Sequence, residues 1–129
     1  MSKQLMLILT IITLAFSFIT AQEKDAGKPV MKNYFMVFLK KGIHRNQDSI
    51  EVEKIQKAHL ENITKLVQTG KLDIAGPFLD DGDLRGIFVF DVPTLKEAEE
   101  LTESDPAIKS GRLSYEIHPF MTQQGASFK

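Results

Sequence analysis

His59 is the residue best placed to do chemistry. Val52, Ile55, His59, Ile63 and Leu66 recur at the spacing of one helix face, so an imidazole occupies a position that a folded protein usually fills with leucine or isoleucine. An imidazole titrates near neutrality and can accept a proton from a phenolic or carbon acid and return one. An inward-turned ring beside open space would therefore suit general acid–base catalysis. The same position also suits a histidine buried for packing, its ring hydrogen-bonded to a backbone carbonyl. The two readings differ in whether the ring meets a cavity.

Other constellations are weaker. Asp80, Asp81 and Asp83 surround Gly82 in the manner of a calcium loop, yet Asp91 and Val92 stand where such a loop needs its twelfth-position glutamate, so a hairpin turn is expected. His44, His59 and His118 fall in a loop, a helix and a strand, at no short zinc spacing, and no metal site is expected. The chain has no cysteine, which excludes disulfides, thiolate metal sites and lipid attachment at an N-terminal cysteine. Ser104-Asp105-Pro106 reads as a helix start, with Asp105 as N-cap and Pro106 at the first helical position. Gly76 and Pro77 end a strand, either as a simple turn or as backbone that a ligand can approach closely. Arg85 is a candidate to hold an anionic substrate, or a solvated arginine at a strand entrance. Phe35, Phe78 and Phe88 suit pocket walls or the core equally well.

Several segments lie outside the expected fold. Lys3, the apolar run over residues 5–19 and the small residue Ala21 read as an export signal cleaved before Gln22, which predicts a secreted or periplasmic protein with no membrane contact after cleavage. Ile19, at the third position before the cut, is larger than cleavage prefers, so an uncleaved anchor is the alternative, although the run is short for a bilayer span. Removing residues 1–21 leaves 15 basic and 17 acidic side chains, a balance that argues against nucleic acid as a partner. Residues 22–32 read as a flexible leader and residues 122–129 as a loose tail, which leaves one domain over residues 33–121 with a small core.

Within that domain, strands are expected at residues 34–40, 72–75, 86–91 and 113–118, the last closed by Pro119. Helices are expected from Ser49 or Asp48 to about Thr69, stopped by Gly70, and over residues 95–103 behind Thr94, with Ala98 and Leu101 inward. The order βαββαβ is the ferredoxin-like α+β plan, a four-stranded antiparallel sheet with both helices on one face. In the first and third strands both faces are apolar: Tyr34, Met36 and Phe38 alternate with Phe35, Val37 and Leu39, and Phe88 and Phe90 with Ile87 and Val89. A sheet with one wet face would alternate apolar with polar, so the helix-free side needs a cover. A second copy of the chain is the simplest one, giving a homodimer packed sheet to sheet.

The residues also resemble a known family, the YciI-like (YCII-related) domains. The resemblance rests on Tyr34-Phe35-Met36-Val37, Ala58-His59-Leu60, Gly70-Lys71-Leu72 followed by Ala75-Gly76-Pro77, and Asp105-Pro106 before Gly111, and it covers about residues 33–120. It implies a ferredoxin-like unit forming a dimeric α/β barrel through its sheets, and a histidine and aspartate proposed as a catalytic dyad, here His59 and Asp105. A related enzyme eliminates chloride from a chlorinated hydroxyhydroquinone. By that resemblance the expected function is proton transfer or elimination on a small cyclic or aromatic compound. Asp105 would orient His59, and Gly76, Pro77, Arg85 and Phe35 would line the site. A non-catalytic module holding a small molecule in the same pocket is the alternative. No cofactor is implied: dimeric sheet-packed relatives of this architecture bind haem through a helix histidine, and nothing beyond His59 points to it here. The export signal departs from the mostly cytoplasmic family.

Overall fold

The computed structural model describes residues 27–128. The expected signal segment lies outside them. The chain divides into two units at Val30, and residues 27–30, the described part of the first, have no regular secondary structure. The second unit holds the elements that follow.

Strand β1 spans Met31–Lys41, helix α1 Ser49–Gln68, β2 Leu72–Pro77, β3 Leu84–Phe90, helix α2 Leu95–Glu103, a single-turn helix α3 Pro106–Lys109, and β4 Leu113–Gln123. The sheet order is β2-β3-β1-β4, with every neighbouring pair antiparallel. The central strands β1 and β3 are the ones whose sequences are apolar on both faces. β4, at the edge, alternates instead: Leu113, Tyr115 and Ile117 pack toward the core, while Ser114, Glu116 and His118 are exposed on the other face.

Local chemistry sets the ends of α1. The Asp48 carboxylate accepts the Glu51 N–H at 2.9 Å, so Asp48 rather than Ser49 is the N-cap. At the other end Gly70 adopts φ +70°, and the N–H groups of Gly70 and Lys71 donate to the carbonyls of Val67 and Leu66. That paired closure needs a left-handed residue after the cap, which glycine adopts without steric cost. The face so fixed carries Ile55, His59 and Leu66 inward. Leu66 joins Val37, Leu39, Leu72, Phe88, Phe90 and Ala98 in one core between sheet and helices. In α2 the inward residues are Ala98 and Thr102, the Thr102 hydroxyl donating to the Ala98 carbonyl at 2.7 Å, while Leu101 is half-buried.

Strand ends differ from expectation: β2 runs on to Pro77, β3 covers Leu84–Phe90, and two differences are larger. β1 starts at Met31, and β4 continues past Pro119 to Gln123, with Pro119 opposite Phe35. An edge strand turns alternate N–H groups away from its neighbour, so a proline there need not end the pairing.

Candidate active site

The site is built where α1, α3 and the ends of all four strands meet. Asp105 leaves α2 and caps α3: its Oδ1 accepts the Ala107 N–H at 2.9 Å, as expected of aspartate before proline. The same carboxylate reaches across 46 residues of sequence to His59, with Nδ1 2.9 Å from Oδ1 and 3.0 Å from Oδ2. Asn62, one turn along α1 from His59, donates its side-chain amide to Oδ2 at 2.8 Å. Cap and partner are thus one group. Asp105 is fully buried, and the Asn62 amide and the Ala107 N–H both donate to its carboxylate.

That arrangement fixes the imidazole. A carboxylate only accepts, so Nδ1 carries the hydrogen and the neutral ring presents a bare Nε2. Nε2 has no hydrogen-bond partner among the described residues, where no buried side-chain nitrogen or oxygen is left unpaired, so it reaches accessible space. That space is a cavity of about 380 Å³ lined in part by His59, large enough for a small ring compound. The Phe88 ring stacks beside the imidazole at 6.0 Å between centroids and sets its plane.

The other expected site residues divide. Gly76, Pro77, Arg85 and Phe88 line the cavity together with Leu39, Ile55 and Ala75. A Cβ on Gly76 would meet nothing within 4 Å, so packing does not demand glycine there. Phe35 is not part of the cavity. It lies four residues from Leu39 along β1, about 13 Å at strand spacing, and borders a separate hollow with Lys32 and Asp91. Phe78 is half-exposed and does not line the cavity either. Asp80 and Asp81 sit in the β2–β3 hairpin, away from His59, and Asp81 holds Arg85 instead, Nη1 to Oδ1 at 2.9 Å. Among the described residues no three metal-ligating side chains gather.

Three functional candidates carried no signal strong enough to single out from sequence. Asn62 could have been found from its three-residue spacing to His59, which puts both on one helix face. Arg45 and Arg112, which also line the cavity, come from loops remote in sequence. They meet because Gly42 and Gly111 let two backbones touch. A side chain on Gly42 would strike the Gly111 carbonyl, and one on Gly111, at φ +72°, would strike the His44 ring. The Gly42 N–H donates to the Arg112 carbonyl at 2.9 Å, and the Arg45 guanidinium to the same carbonyl at 2.8 Å.

Residues 35–121, well over half the chain, match the YCII-related domain. The chain belongs to that family. A YCII-related solved structure with the same fold is 5-chloro-2-hydroxyhydroquinone dehydrochlorinase from Burkholderia phenoliruptrix AC1100, in complex with 2,5-dihydroxybenzoquinone. It is 22% identical, the match covers 66% of this chain and 90% of that one, and the TM-score is 0.51. No curated protein matches this YCII-related chain in sequence.

Proposed function

We propose that this YCII-related domain is an enzyme performing general acid–base chemistry on a small cyclic or aromatic compound. His59 Nε2 is the proton-transferring atom, and Asp105 is the positioning residue. The observation that carries the reading is the open Nε2 of a ring whose Nδ1 is committed to a buried carboxylate. Nε2 takes a proton from an O–H or C–H of the bound compound, and the freed electron pair moves into the ring system. Either a leaving group departs with its own bonding pair, or the proton returns at another ring atom. The imidazolium formed in between keeps its Nδ1–H on Asp105, which offsets the new charge. The dehydrochlorinase with the same fold acts on a ring of this size class and binds a quinone, which supports the substrate class by analogy.

We further infer that the protein works as a homodimer packed through the helix-free sheet face. Tyr34, Met36, Phe38, Ile74, Ile87 and Val89 share that face and give it an apolar centre. Residues 1–21 support export with cleavage after Ala21. No helix among the described residues is long and apolar enough to cross a membrane.

The test is chloride release from 5-chloro-2-hydroxyhydroquinone, followed beside calorimetric titration with 2,5-dihydroxybenzoquinone. Turnover that vanishes in His59→Ala while quinone binding persists is the expected result. Quinone binding that falls in His59→Ala, with no turnover of any ring compound by the unaltered protein, would establish a binding module instead. Sedimentation of the mature chain as a stable monomer at micromolar concentration would reject the dimer.

A further inference from the structure

The cavity's charge is as one-sided as its chemistry. Arg45, Arg85 and Arg112 line it beside His59, and among the described residues no aspartate or glutamate does, although the chain as a whole carries a net charge of -1. The three guanidiniums are unequally occupied. Arg85 is engaged by the hairpin, through Asp81 at 2.9 Å and the Gly82 carbonyl at 3.2 Å. Arg45 gives one nitrogen to the Arg112 carbonyl, and Arg112 gives one, at 3.3 Å, to the Gln47 side-chain oxygen. Each guanidinium has five N–H donors, so most of those on Arg45 and Arg112 have no partner among the described residues. The crowding is only partly offset: burial first, then the charges of Arg112 and Arg85, hold the Arg45 guanidinium below its usual range, and Asp81 opposes them more weakly.

Planar forks of unassigned donors, at the mouth of a cavity with an acid–base group inside, match a planar anion. Resting on the reading of this cavity as the substrate site, we propose that its substrate is a ring compound bearing a carboxylate. Arg45 and Arg112 grip that carboxylate while the ring's reacting edge meets His59 Nε2. The arginines then set both specificity and orientation, which a largely apolar cavity wall of Leu39, Ile55 and Phe88 cannot do alone.

The experiment compares two probes that differ only in the charged group, 2,5-dihydroxybenzoate and hydroquinone, by calorimetric titration of the full chain. The carboxylate is expected to bind about tenfold more tightly, the size of a charge-assisted contact in a partly exposed site. Added salt should narrow the gap. The double variant Arg45→Gln/Arg112→Gln should erase it, and Arg45→Lys/Arg112→Lys should keep part of it. Equal affinities, no binding of either probe, or a preference that survives the glutamine pair would overturn the proposal. A carboxylate preference without turnover of any ring compound would leave the arginine assignment standing and remove the catalytic one. Turnover of neutral rings bound as tightly as anionic ones would do the reverse.

Discussion

The two ends of the cavity are held in opposite ways. At the floor, His59, Asn62 and the Ala107 N–H all converge on the Asp105 carboxylate. At the rim, three arginines share two carbonyls, one amide oxygen and one exposed carboxylate. A buried polar network must be fully satisfied or it is strongly destabilising, whereas half-exposed cations can leave donors to water until a ligand takes them. In the proposed function the floor serves a fixed proton path, and the rim serves an exchangeable partner. Stability should reside in the first and affinity in the second.

The largest test of that division is Asp105→Ala, which strands three donors in a buried space. It should cost about 3–5 kcal/mol in chemical denaturation, the scale of breaking a buried pair, and it should abolish turnover. A loss no larger than that of a surface substitution would dissolve the distinction between floor and rim. His59→Ala should lower kcat about 10²- to 10⁴-fold, as removal of a general base does, with ligand affinity nearly unchanged. A His59→Leu variant that is more stable and equally active would show that the imidazole only fills space. Asn62→Ala removes one of the donors and should cost about 1 kcal/mol by thermal melting.

Tyr115 supplies a control outside both regions. Burial, and then the hydrogen bond it donates to Glu103 at 2.9 Å, push its phenol up to about 12. The folded value lies above the unfolded one, so this stabilisation is whole below about pH 10 and is lost as the pH climbs through about 12. Absorbance titration of the unaltered chain against Tyr115→Phe should show the missing transition at that alkaline end, with no change near neutrality. The smallest effect on stability belongs to the rim: Arg45→Gln should shift unfolding by no more than about 0.5 kcal/mol.

Much of the architecture was legible because local rules suffice for it. Gly70 stops α1, Thr94 caps α2, and Asp105-Pro106 opens α3 through contacts within a few residues. Pro119 misled because its effect depends on whether its strand lies at the centre or the edge of the sheet, which is a tertiary fact. Phe35 misled for a similar reason. Strand alternation gives the face a side chain occupies, and Phe35 shares a face with Leu39, but only the packed helices decide which end of that face stays open.

The sequence by itself determined that the His59 ring turns inward, since helical periodicity leaves no other direction, and that the elements run βαββαβ. It also determined that Asp105 would meet a backbone N–H, because that bond spans two residues. Only the tertiary structure decided that this carboxylate also meets His59, and that Arg45 and Arg112 stand together at the cavity mouth. Those contacts join segments 46 and 67 residues apart. No local propensity encodes such distances. They arise when buried apolar faces dock α3 on α1 and when two glycines, Gly42 and Gly111, allow backbones to touch where any side chain would hold them apart.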